Sequence, residues 1–258
     1  MSDHSIHVDR AAGHVTVVTL ERPPANFFSL EMIGELADTL EAIGADGTTR
    51  AVVIRAAGKH FCAGADFTVL DADGQRQLID VEELYRHAVR IFAQPVPLVA
   101  CLHGAVIGGG LGLALAADFR VAASDSRISA NFARLGIHQG FGLSVTLPRT
   151  VGWAAATRLL YTGQSLNGAE AAGMGLVDLT TNADSVVSSS LALAADIASS
   201  APLAVRSIRH TMRDALLEQV RAVISREVRE QRLLFATADF GEGVSAARER
   251  RRPEFIGR

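Results

Sequence analysis

Cysteine is nearly missing from this chain, with Cys62 and Cys101 its only two. Two thiols make no disulfide framework, and neither sits in the clustered Cys/His spacing of a zinc site. The fold therefore holds by its own packing, and a reducing compartment, the cytoplasm, is the expected location. No excess of one charge is present either: the formal net charge is −3, which argues against a general polyanion-binding surface and against a nucleic-acid partner. The N-terminus, MSDHSIHVDR, lacks the basic-then-apolar layout of a secretory signal. The chain also lacks an unbroken hydrophobic run. Its most apolar stretch, from about Pro97 to Ala117, is interrupted by His103, Gly104, Gly108, Gly109, Gly110 and Gly112 and stops at Asp118, so no membrane span is expected.

Against these absences, 258 residues of which 48% are hydrophobic provide for a sizeable buried core in one large domain or two small ones. Ile6 to Leu20 reads as a hairpin, with IHVDR and HVTVVTL flanking the turn-forming AAG. Ser29 then caps a helix whose apolar positions Ile33, Leu36, Leu40 and Ile43 recur at helical spacing. A second unit opens with the strand AVVIRAAG (51–58), followed by the loop KHFCAGADF and a polar helical stretch near 74–93. A third opens with PLVACLHG (97–104), enters a helix at the GGG run and returns through FRVAASD (119–125). These units repeat without a fixed period, so the core reads as a loose ββα coil. Beyond ARLGIHQGFGLSVTLPRTVG come the helix AAATRLLYTG, closed by Gly163, and the strand-like GLVDLTT (175–181). From about 184 the chain is helix after helix. The expected division is an α/β core over 1–195 and a helical C-terminal region over 196–258, which caps the core or assembles subunits.

Two glycine-bearing loops carry the chemistry: GKHFCAGADF (58–67) and HGAVIGGGLGLALAADF (103–119), each directly after an apolar strand. Small residues at strand ends let peptide N–H groups approach an anion, although a triple glycine also serves close packing of a helix on a sheet. Neither loop has the G-x-x-x-x-G-K-[ST] or G-x-G-x-x-G order, and no G-x-S-x-G elbow supplies a serine nucleophile.

ERPPAN, GKHFCAGADF, HGAVIGGGLGLALAADFRVA, LGIHQGFG and EGVSAARERRRPEF, in that order, resemble the crotonase (enoyl-CoA hydratase/isomerase) family along nearly the full chain. The resemblance implies a crotonase-like ββα spiral core with a helical C-terminal region and assembly as a homotrimer or dimer of trimers. It implies an acyl-CoA thioester substrate, with coenzyme A arriving as part of that substrate and no separate cofactor or metal. It places the thioester oxygen between the N–H groups of Ala65 and Gly109, an oxyanion hole. The backbone around Ala25 and through Ala63, Gly64, Ala65 and Asp66 is expected to line the adenine and pantetheine path. Arg22, Lys59 and the arginine tail (Arg248, Arg250, Arg251, Arg252, Arg258) are candidates for the phosphates or, equally, solvated surface charges.

The sequence departs from the family at its acids. Hydratases place one glutamate two residues beyond the GGG run and another eight residues before the G-x-G segment; those positions hold Gly112 and Phe132, neither able to transfer a proton. The aspartate of dienoyl-CoA isomerases falls at Gly140. His138, close to where naphthoate synthases carry an acid, is the remaining candidate acid or base, or else a histidine bonded within its loop. His60, His103 and Cys62 read as structural, and Phe132 and Phe141 make the pocket apolar. The alternatives left open are an enzyme of hydratase, isomerase or hydrolase type and a non-catalytic acyl-CoA binder.

Overall fold

The computed structural model describes residues 5–67 and 78–258. β1 (Ile6–Arg10) and β2 (Val15–Leu20) form the antiparallel hairpin. α1 (Leu30–Ala45) follows, its Ser29 side chain accepting the Met32 N–H as expected of an N-cap. β3 (Ala51–Ala56) leads through the first glycine loop to α2 (Val81–Phe92), capped by Asp80. The sequence places the start of α2 near 74, and residues 74–77 lie outside those described. β4 (Leu98–Leu102), β5 (Ala105–Ile107), α3 (Gly109–Ala116) and β6 (Phe119–Ala123) come next. The apolar stretch 97–117 is thus two strands and a short helix, and among the described residues no single helix is long and apolar enough to cross a membrane.

The chain continues with β7 (Arg127–Ser129), a 3-10 turn (Asn131–Leu135), α4 (Leu143–Val151) and α5 (Trp153–Thr162), which Gly163 closes in the left-handed conformation. β8 (Ser165–Leu166), α6 (Gly168–Gly173) and β9 (Leu179–Thr181) precede the helices α7 (Val186–Ser199), α8 (Pro202–Phe235) and α9 (Ala238–Glu249). β9 is shorter than the sequence suggests, and β5, β7 and β8 are strands that it did not reveal. Two or three residues carry too little alternation to register as a strand.

Among the described residues the main sheet runs β1-β2-β3-β4-β6-β9, parallel from β2 onward, and a small second sheet runs β5-β7-β8. A parallel sheet is buried on both faces, and alternation divides these strands between two cores. Val52, Ile54, Leu98, Ala100 and Leu102 join the large cluster beneath α1 and α3, while Ala51, Val53, Val99 and Cys101 face Ala194 and Ala198 of α7. The C-terminal helices share the large cluster through Leu216, Val220, Val228, Phe240 and Val244.

A buried ion cluster fixes α8 to this core. Asp118, at the turn into β6, accepts the Leu98 N–H at 2.8 Å, the Arg209 Nε at 2.8 Å and an Arg213 nitrogen at 3.1 Å. Its side chain and those of the two arginines are 13%, 8% and 13% exposed. Removing one member of a buried cluster leaves the others charged and unpaired. Asp118→Ala should therefore lower stability by about 3–5 kcal/mol in urea unfolding. Asp38→Ala, at the exposed pair with Arg90, should change it by about 1 kcal/mol or less.

Candidate active site

The two glycine loops meet edge to edge. Cys62 donates its N–H to the Ala105 carbonyl at 3.0 Å and accepts the Ile107 N–H at 3.0 Å, so the first loop runs as a parallel partner of β5. On its other side Phe28 donates its N–H to the Gly64 carbonyl at 2.8 Å. Asn26, buried, donates its amide to the carbonyls of Ala57 and His60 and fixes the base of the same loop. At the second loop Gly108 donates to the Ser129 carbonyl at 2.9 Å and turns the chain into α3 at φ 55° and ψ −115°, a conformation open essentially to glycine.

These bonds leave the N–H groups of Ala65 and Gly109 without a partner among the described residues. Both line one cavity, together with Ala63 and Gly64. Gly109 opens α3, so the positive end of that helix adds to its N–H. A Cβ on Gly64 would sit 3.0 Å from the Ile107 oxygen and 3.9 Å from the Gly109 nitrogen, which measures how closely the loops approach. The arrangement can hold an oxyanion.

The rest of the cavity is apolar, with Phe28, Phe67, Phe132, Leu135 and Phe141 prominent. Among the described lining residues only Tyr85, Asn131 and Gln231 have polar side chains. Phe132 faces the cavity. Gly112 does not, because Phe141 covers it: a Cβ on Gly112 would lie 2.6 Å from that of Phe141. Phe141 is fully buried, has φ 58°, and packs against Phe28 and Tyr85 with ring centres 5.5 and 6.2 Å away.

The other residues singled out in the sequence are placed as follows. Arg22 and Asp66 line an adjoining cavity that shares Phe28 and Ile79 with the first. Arg22 also donates to the Phe27 carbonyl at 2.8 Å. The Ala25 carbonyl accepts the Ala63 N–H, a backbone role, and Lys59 is exposed. His138 is outside both cavities, with Nδ1 2.7 Å from the Gln139 carbonyl oxygen. His60 accepts the Ala105 N–H on Nδ1. Burial, helped by the nearby charge of Lys59, lowers its pKa and keeps it neutral. Burial pushes the Cys62 thiol up to about 12, so it packs and does not react. In the tail, Arg251 is tied to Glu242 and Glu249, while Arg248, Arg250, Arg252 and Arg258 are exposed.

Three residues of the site escaped the sequence reading. Tyr85, on α2, donates its hydroxyl to Gln231 Oε1 at 2.9 Å, and Gln231 Nε2 donates to the His138 carbonyl at 2.8 Å. One helical turn before Gln231, the buried Glu227 accepts the N–H groups of Gly142 and Ser144 at 2.8 and 3.0 Å and so caps α4 from a distant helix. Burial raises the pKa of this carboxyl, while the Ser144 and Gly142 bonds pull it down. The available signal was polar Glu227 and Gln231 spaced four apart on the apolar stripe of α8 that includes Val220 and Val228.

Comparison with known proteins identifies the family. The family model described as enoyl-CoA hydratase/isomerase matches residues 10–258. A probable enoyl-CoA hydratase of Bacillus subtilis (strain 168) is 33% identical over 261 residues, covering 100% of both chains. The 1,2-epoxyphenylacetyl-CoA isomerase of Escherichia coli K12 is 30% identical, covering 98% of this chain and 97% of its own. The crystal structure of an enoyl-CoA hydratase/isomerase from Pseudoalteromonas atlantica T6c superposes with a TM-score of 0.86 at 32% identity, covering 98% of this chain and 100% of that one. On sequence and fold, this chain belongs to the enoyl-CoA hydratase/isomerase (crotonase) family.

Proposed function

We propose that the protein acts on an acyl-CoA thioester, polarising its carbonyl between the N–H groups of Ala65 and Gly109 while a bond at the α-carbon rearranges. The observation that carries this reading is the pair of unpartnered N–H groups opening into one apolar cavity. Donors fixed in advance, in a site that excludes water, stabilise an enolate or tetrahedral oxyanion without reorganising. Isomerisation within the acyl group fits better than hydration or hydrolysis, because an apolar wall offers little to hold and activate a water. His138 as acid or base has weaker support, since its ring nitrogen is engaged with its own loop. The missing carboxylates favour a second reading, a non-catalytic acyl-CoA binder.

Arg22, in the adjoining cavity, supports a path for the CoA phosphates there, with exposed Lys59 as a further cation. Assembly as a homotrimer or dimer of trimers is supported by Leu203, Ile208 and Met212 of α8, exposed at 80%, 63% and 68%. The two free, buried cysteines suit a cytoplasmic location.

The first helical position tolerates proline, which lacks the N–H, so Gly109 can be tested directly. Any Cβ there approaches the Phe28 ring to 2.6 Å, which makes Gly109→Ala the control for crowding. Across a panel of acyl-CoA substrates, Gly109→Pro should turn over about 10²–10³-fold more slowly than Gly109→Ala, the cost of one oxyanion donor. Equal rates would remove the oxyanion role, and calorimetric binding of acyl-CoAs with no turnover by the unaltered protein would select the binder.

Restoring the glutamates should fail. Gly112→Glu combined with Phe132→Glu is expected to give no crotonyl-CoA hydration and a lowered melting temperature, because Phe141 occupies the space the first carboxylate needs. Hydration measured by loss of the enoyl absorbance would show that Phe141 yields.

A further inference from the structure

We propose that the Tyr85 hydroxyl is the proton donor to the α-carbon of the bound acyl group, positioned by Gln231. This rests on the acyl-CoA reading above and assigns the acid within that site. Tyr85 lines the same cavity as Ala65 and Gly109, and among the described lining residues it alone has an ionisable side chain.

The surroundings are built around its oxygen. Gly140 leaves the space in which the hydroxyl sits: a Cβ there would lie 1.8 Å from the Tyr85 oxygen. The hydroxyl donates to Gln231 Oε1 at 2.9 Å, and the nearby Phe141 N–H favours the ionised form of the phenol. The Gln231 amide is oriented by its Nε2 bond to the His138 carbonyl, which turns the carbonyl end toward the tyrosine. Phe141 has a positive φ for a bulky residue, a strained conformation of the kind that persists where surrounding structure enforces it.

Burial and the nearby Glu227 raise the phenol's pKa, so Tyr85 stays protonated across the physiological range and acts as a donor, not as the base. In the step proposed, the hydroxyl rotates from Gln231 toward the acyl group. The electron pair of the enolate C=C forms the new Cα–H bond, the O–H bond breaks and the thioester carbonyl reforms. The phenolate left behind, which the nearby Phe141 N–H favours, recovers a proton from solvent after product leaves.

The test uses acetoacetyl-CoA, whose enolate absorbs in the ultraviolet, and butanoyl-CoA, which is not enolised near neutral pH. If the hydroxyl faces the enolate, Tyr85→Phe should raise the apparent pKa of bound acetoacetyl-CoA by about 1–2 units, the worth of one hydrogen bond to a charged group. Butanoyl-CoA affinity should stay within about twofold, well under the tenfold that 1.4 kcal/mol represents. The chain has 2 tyrosines, and the other, Tyr161, is 79% exposed. Protein labelled with 3-fluorotyrosine therefore gives a readout that needs no substitution: the buried fluorine resonance should move with acetoacetyl-CoA more than with butanoyl-CoA. An unchanged enolate pKa with equal fluorine shifts for the two ligands overturns the proposal. So does equal loss of affinity for both, the mark of a packing role. Failure of the unaltered protein to bind either thioester overturns the acyl-CoA reading itself.

Discussion

Two peptide N–H groups must stay unbonded beside an apolar cavity, and most of the structure around Ala65 and Gly109 follows from that requirement. An unsatisfied buried donor costs about 1–3 kcal/mol, so a chain free to relax would turn these groups onto a nearby carbonyl. The neighbouring bonds prevent it. Phe28 takes the Gly64 carbonyl, Cys62 exchanges two bonds with β5, and Gly108 is committed to Ser129. Glycine permits the close fit: a Cβ at Gly110 would lie 2.4 Å from the Cys62 oxygen, so α3 reaches the first loop only without a side chain there.

The long helix α8 completes the site from the far end of the chain. Asp118 holds its first half through Arg209 and Arg213, and further along Glu227 and Gln231 project onto the loop that carries Phe141. Glu227 supplies the N-terminal cap that Gly142, without a side chain, cannot give to α4. The C-terminal helices therefore do more than cover a finished core. They orient the loop between the 3-10 turn and α4, and with it the part of the cavity wall that Phe141 forms.

What the sequence disclosed and what it hid divide along a physical line. Ser29 as a cap, Gly163 as a helix stop, the alternating strands β2 and β3 and the two glycine loops are local features, and local features can be read from neighbouring residues. The juxtaposition of Ala65 with Gly109 was legible through family resemblance, because backbone groups carry no residue signature of their own. Tyr85, Gln231 and Glu227 were not legible. Their roles depend on α2 and α8 meeting across some 146 positions of chain, and a lone Tyr in VEELYRHAV reads like any core residue.

Two of the three positions where the family resemblance places an acid, Gly112 and Gly140, share one packing feature. At Gly112 the space next to the backbone is occupied by Phe141, and at Gly140 by the Tyr85 hydroxyl. In both places a side chain from another segment fills the volume that a carboxylate's own stem would need. An isolated loss of a glutamate would leave a void lined by its former partners, costly to keep empty in a close-packed interior. No such void lies at Gly112: the Phe28, Phe92, Phe141 and Tyr85 rings pack continuously behind it, with centres about 5.5–6.3 Å apart. At Gly112 and Gly140 an aromatic residue of another segment thus stands where a carboxylate stem would, which leaves a largely apolar wall beside the N–H groups of Ala65 and Gly109.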